Sequence, residues 1–489
     1  VADKPSDGLN LIANRYFVHE EPVREGVVSQ TFFLEDDARL RATYMERTKA
    51  YIAMYEEMIG PYPYGKFATV ENWFPTGYGL PSYTLLGGQV LRLPFIPYTS
   101  FGHEIAHNWW GNTVFVDLTE GNWCEGMTSY CADYHYKQLE SDDAARDYRR
   151  HMLKDYAAYV SDPSRDVPLA DFMSRHSGAT RAVGSGKSMM VFHMADRAVG
   201  REAFLAGLQE VARTHMFAEA AWSDFLKAIG EAGGRDLAFF GDQWLARAGA
   251  PVLGLENVVF AEDKVAFTLT QAEPAYDLEV PIVVTGAAGD EEHLVQLDSP
   301  SEAFEIEVAG AKTLAIDPDC HLFRRLDPTE IEPTISQVLG AEDPAFVMDG
   351  PDEAFFAAGT AFAGAFAEVE DPVVDADGAL PEGRAAVVMN PGPELLKTLK
   401  PVDLTVSGTT LFLGGKRYSL NDFDLVYAAA PEGGATCLVV IADSTHRLES
   451  LARRVGHYGK YSWLLLPKGQ GRVQRGNWAV GDSPLVARR

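Results

Sequence analysis

A chain of 489 residues with a hydrophobic share of 46% is too long for one ordinary core, so three or four globular domains are expected. Its net charge of −28 repels nucleic acid and anionic membrane surfaces, and no apolar run is long enough to span a bilayer. Four cysteines in a chain of this size make no disulfide scaffold.

The opening VADKPSDG carries neither Met nor the apolar core of a signal peptide, which leads us to expect a mature or trimmed product, soluble in cytoplasm or periplasm. Residues 1–33, with LIANRYFVHEE and VVSQTFF, read as two or three alternating strands. Helical patterns dominate from Glu35 to about Arg247. Within that region KFATVENWFPTGYGLPSYTLL sets Glu71 and Asn72 between a β-like segment and a loop rich in Gly and Pro.

The next stretch, SFGHEIAHNWWGN, places His103 and His107 at i and i+4, on one face of a helix, where both imidazoles reach a single metal ion. Glu104 sits beside that face, where a carboxylate can take a proton from water. Zinc suits such a site, because it accepts N and O ligands and leaves one of four positions open for chemistry. Thr113 stands where HExxHxxGxxH would require a third histidine, so that class of enzyme is excluded. Carboxylates come next: Glu120 lies in the turn-like LTEGN, whereas Glu125 opens the helical EGMTSYCADYHYKQL. A ligand needs a rigid support, which favours Glu125. Cys124 and Cys131 are seven apart on the same helix, about 10 Å by helical rise, too far to bridge.

Further on, RAVGSGKSMMVFHM contains GSGKS, the tail of a phosphate loop, but Arg181 occupies the position where such a loop needs its first glycine. His135, His151, His176 and His193 have no metal-binding spacing.

ATVEN followed by HEIAHNWWGN and a downstream glutamate resembles the gluzincin zinc aminopeptidases, the family of aminopeptidase N and leukotriene hydrolase. The likeness runs from about Tyr62 to Leu253, including GDQWLARAGAPVL, and marks a divergent, bacterial-like member. It implies a thermolysin-like, mainly helical catalytic domain over 35–250, in which His103, His107 and Glu125 hold Zn²⁺ and Glu104 activates water. It also implies that Glu71, matching the glutamate of the family's GAMEN, binds the free α-amine of a peptide substrate. Residues 1–34 then correspond to a remnant of the family's N-terminal β-domain.

Three departures accompany the resemblance. ATVEN replaces the small residue pair of GAMEN, though Glu71 itself is retained. The connection from His107 to Glu125 is one residue shorter than the family's. More serious, the family's oxyanion-binding tyrosine falls on Ser185 (or on Val183, two residues earlier), and neither is a phenol. Tyr78, Tyr83 and Tyr130 are candidates to compensate. The expected function is zinc-dependent removal of N-terminal residues from peptides, impaired by Ser185; the alternative is a zinc-containing relative that binds peptides with little turnover. Lys187 is expected to be structural or solvent-facing.

From 251 to 327 short strands such as KVAFTLTQ, EVPIVVTG and FEIEVAG alternate with turns, a β-sandwich pattern. DPTEIEPTISQ reads as a linker. Residues 335–489 alternate apolar runs with helices, an α/β domain with a mostly parallel sheet, with CLVVIADS–helix–YSWLLLPK as its clearest β-α-β unit. GGK at 414–416 reads as a hairpin turn. The uncharged run 354–367 reads as a buried or half-buried helix. The fold class expected is therefore multidomain α+β, and no sequence signal sets the oligomeric state.

Overall fold

The computed structural model describes residues 4–6, 8 and 10–489. Strand β1 (Phe17–Arg24) pairs antiparallel with β2 (Val27–Phe33), which runs parallel to β3 (Lys66–Asn72). Strand β5 (Tyr83–Gly87) follows on the far side of β3, and the edge strand β4 (Gly77–Leu80) runs antiparallel to β5. The sheet order is β1-β2-β3-β5-β4. β2 alternates inward and outward residues, as expected of a half-covered strand, whereas β3 is buried on both faces from Phe67 onward. The two N-terminal strands are thus part of the same sheet as Lys66–Asn72, which corrects the reading of 1–34 as a remnant of another domain. Alternation identifies a strand but not its sheet.

Helix α1 (Ala38–Met58) is capped by Asp37, whose carboxylate accepts the Leu40 N–H at 2.9 Å. Its buried Tyr44, Tyr51, Ile52 and Tyr55 recur at i, i+7, i+8 and i+11, one face of a helix laid on the core. Full burial of a side chain such as Ile52 contributes about 1.5–3 kcal/mol. Helix α2 (Ser100–Ala106) follows the sheet. Helix α3 (Cys124–Ser129) continues through a π-helical segment, Tyr130–Tyr134, into His135–Glu140. Helix α4 (Asp142–Tyr159) then packs on a second interrupted helix. That helix starts at Gly178, passes through a π segment over Ala182–Lys187 and ends as α5 (Ser188–Val199).

Residues 253–316 form two facing sheets, with Lys264–Gln271 alternating strictly between buried and half-buried. Their apolar residues join those of the region before residue 250 in one continuous core. The C-terminal region has two cores of its own, one on each face of a seven-stranded sheet. Strands 374–375, 345–348, 386–389 and 437–441 are parallel; 423–429, 463–467 and 474–476 add on antiparallel. The sheet is therefore mixed, not mostly parallel. Strands 437–441 and 463–467 run the same way, joined by helix Thr445–Val455, but strand 423–429 lies between them. Gly414 and Gly415 both take positive φ, 55° and 74°, in a hairpin turn as the sequence suggested. The uncharged run lies on a helix, Glu353–Ala367, half-buried through Ala358, Gly359, Phe362 and Ala363. The last strand, Val486–Arg488, leaves this domain and pairs with Thr313–Ile316 of the sandwich.

Candidate metal centre and cleft

Helix α2 carries His103 on its final turn, and His107 caps the helix one turn later, so their rings lie 4.9 Å apart. Glu125 comes from the first turn of α3. Its two carboxylate oxygens sit 3.5 Å from His107 Nε2 and 3.8 Å from His103 Nε2. One donor atom from each of the three residues falls within 4.8 Å of the other two. Four ligands at ~2.0–2.1 Å in a tetrahedron stand roughly 3.3–3.4 Å apart, so the donor set and its spacing fit zinc with one position to spare.

The outer nitrogens are held as well. His103 Nδ1 is 2.7 Å from Asp133 Oδ2, and His107 Nδ1 is 3.1 Å from the Trp110 carbonyl. These contacts leave each Nε2 to face the metal position. Asp133 escaped the sequence reading because a regular helix would turn a residue at i+8 about 80° from Glu125. The π segment that contains it takes up one extra residue, which brings it back to within roughly 20° of the Glu125 face. Burial works to raise the Glu125 pKa, but His107 and His103, with Arg175, outweigh it and pull the group down to about 2. Burial lowers the His103 pKa, but Asp133 and Glu125 together outweigh it, so the net direction is upward.

Glu104 stands beside the triad. No donor among the described residues hydrogen-bonds its carboxylate. The edge strand β4 passes directly over it: a Cβ at Gly79 would lie 2.8 Å from Glu104 Oε2 and 3.0 Å from His107 Cβ. Only glycine lets the strand come this close. Together these residues border a cleft of about 740 Å³ whose walls also include Tyr78, Tyr148, Arg175, Arg181 and Ser185.

Ser185 therefore does reach the cleft, from the π segment of the second interrupted helix, and its Oγ has no hydrogen-bond partner among the described residues. The GSGKS stretch is helix interior and not a loop. Its Lys187 is fully buried, donating to the carbonyls of Arg247 at 2.8 Å and Gly249 at 3.2 Å. Gly126 of α3 lets this helix approach, since a Cβ there would collide with Ser188 Oγ at 1.8 Å.

Glu71 is the residue that the structure does not bring to the cleft. It ends β3, an interior strand, with its side chain only 4% exposed. One oxygen pairs with Arg92 at 2.5 Å and the other accepts the Leu34 N–H at 2.9 Å. The stretch that borders the metal centre is β4, Gly77–Leu80, which holds no carboxylate. The amine-binding assignment of Glu71 is corrected accordingly: its charge is spent inside the sheet. Of the three phenols considered as substitutes, Tyr78 lines the cleft. Tyr83 does not, and Tyr130 is fully buried between Asp196 and Arg201. Tyr148, which the sequence reading passed over, lines it from α4.

Residues 99–244 match the peptidase family M1 domain. Glutamyl aminopeptidase of Bos taurus is 27% identical over 46% of this chain and 25% of its own length. Aminopeptidase N of Streptomyces lividans is 24% identical over 52% of this chain and 29% of its own length. The crystal structure of Legionella pneumophila aminopeptidase A in complex with aspartic acid superimposes with a TM-score of 0.50 at 15% identity, covering 64% of this chain and 38% of that one. The chain thus spans less than a third of the length of these curated relatives. Through the match at 99–244 and the likeness of these sequences, this part of the chain is similar to the M1 gluzincin aminopeptidases.

Proposed function

We propose that this chain is a zinc-dependent peptidase that hydrolyses peptide bonds next to the N-terminus, with Glu104 as its general base and acid. The observation that carries the reading is the fit of His103, His107 and Glu125 to one metal ion beside an uncommitted Glu104 carboxylate. His103, His107 and Glu125 would hold zinc, which when bound would supply Lewis acidity to the scissile carbonyl and to water. Edge strand β4 offers its backbone to an extended peptide and holds the scissile bond over Glu104. Glu104 takes a proton from the attacking water as the new C–O bond forms. It returns that proton to the nitrogen as the C–N bond breaks. Asp133 and the Trp110 carbonyl keep both imidazoles in the tautomer that faces the metal.

A second reading rests on Glu71. With that carboxylate neutralised by Arg92, substrate selection does not draw on it for a free α-amine, and bonds away from the N-terminus become substrates too. Cleavage of matched peptides with free and acetylated N-termini separates the two. Hydrolysis of the free form alone supports N-terminal trimming; equal hydrolysis supports the second reading. Glu104→Gln is expected to abolish turnover of either peptide while zinc content, measured by atomic emission, stays at one ion per chain. Retained turnover would remove Glu104 from the reaction.

A further inference from the structure

Resting on the peptidase reading, we propose that Arg175 binds the oxygen that becomes anionic when water adds to the scissile carbonyl, the task for which Ser185 is too short. Three observations carry this.

The first is position. Arg175 lines the cleft, and its Nη1 lies 3.9 Å from Glu125 Oε2, on the carboxylate that faces both metal-binding histidines. A guanidinium there sits beside the metal position, where a carbonyl oxygen must come.

The second is availability. Arg181, the other arginine of the cleft, is committed to Asp155 at 3.1 Å. Arg175 makes no hydrogen bond among the described residues, and 3.9 Å to Glu125 is beyond hydrogen-bonding range. Once Glu125 shares its charge with a metal ion, its hold on Arg175 weakens further. The guanidinium, always protonated and with a fork of donors, is then free to meet a developing anion.

The third is preorganisation. The backbone is pinned on both sides of Arg175. Upstream, Asn122 joins the segment to the entry of α3: its N–H donates to the Phe172 carbonyl at 2.7 Å and its side-chain amide to the Met173 carbonyl at 2.9 Å. The same Asn122 accepts the Cys124 N–H, one residue from the Glu125 ligand. Downstream, Ser177 and Thr180 form a reciprocal cap on the helix that leads to Ser185. Three residues, 174–176, bridge these anchors, so the backbone that carries Arg175 is fixed beside the ligand helix, while the half-exposed guanidinium reaches into the cleft. A donor launched from a fixed backbone has less to reorganise when transition-state charge develops.

The test is Arg175→Gln in the full zinc-loaded chain, with binding of a phosphinic dipeptide, whose tetrahedral anion mimics the addition step, measured by calorimetry. We expect the analogue to bind ~10²-fold more weakly and kcat to fall by a similar factor, with KM little changed. Zinc content should be unaltered. In a Ser185→Tyr background, itself expected to raise kcat, the loss on Arg175→Gln should shrink, because two donors then serve one oxygen. Undiminished analogue affinity in Arg175→Gln would overturn the assignment, as would a loss appearing in Tyr148→Phe or Tyr78→Phe in its place. If the wild-type chain cleaves no peptide and binds no analogue, the peptidase reading itself fails. If it does both and Arg175→Gln does both equally well, only Arg175 falls.

Discussion

Asp133 borders the cleft, and its carboxylate sets the ring of His103. Asp133→Asn keeps the side chain's shape but removes the charge that holds the imidazole, and zinc affinity is expected to drop roughly 10–100-fold, read by competition with a chelator. Lys187 gives a second residue-scale outcome. Burial lowers its pKa from the ordinary 10.5 to about 8, against a smaller upward pull from Asp166. Below pH 8 both folded and unfolded chains hold the proton, and the cost of a buried charge is present in full. Between pH 8 and 10.5 the unfolded chain keeps a proton that the folded one releases, so folding stability rises with pH, by on the order of 3 kcal/mol in total. Melting temperatures of wild type and Lys187→Met should therefore shift in favour of wild type from pH 7.5 to 10. A constant difference would mean that Lys187 stays charged when buried.

At the scale of elements, β4 and the two π segments decide how the cleft is built. Gly79→Ala places a methyl group against Glu104 and His107, so we expect kcat to fall at least tenfold while zinc content holds; an unchanged kcat would mean that the strand yields without cost. What the sequence could tell follows the same elements. His103, His107, Glu104 and Glu125 were readable because they sit on regular helix, where spacing translates directly into a shared face. Glu71 was misleading because ATVEN marks a strand without marking its place in the sheet: it lies on an interior strand, and the strand beside the metal centre is the glycine-rich one after it. Asp133 was hidden by the π segment that rotates it into place. Arg175 lies in an irregular segment, and only the tertiary contact of Asn122 to the preceding Met173 carbonyl and the position of Arg175 on the cleft wall reveal it. The N-terminal strands were recognised, but the strand that joins them to the sheet is 38 residues further along the sequence (Val28 against Lys66), beyond what alternation can specify.

Across the whole molecule, the region that carries the cleft and the sandwich share a single core, while polar contacts help to fasten the C-terminal region to them. Glu332, 2% exposed in the connecting segment, pairs with Lys154 and with Arg150, the latter at 2.7 Å, both from α4. Removing it leaves the buried Lys154 ammonium unpaired, so Glu332→Ala should cost roughly 3–5 kcal/mol and lower the melting temperature by several degrees. A shift within the error of calorimetry would assign the joint to other contacts. No helix among the described residues is long and apolar enough to cross a membrane.

The closing strand, Val486–Arg488, has a topological effect beyond its length. Because the sandwich begins before the α/β region and is completed after it, that region is a loop on the sandwich in all but size. Its two ends are tied to one scaffold, and a break in the peptide anywhere within it releases neither half. Evolution could enlarge, trim or exchange such an excursion without redrawing the cleft, provided the last dozen residues still came home.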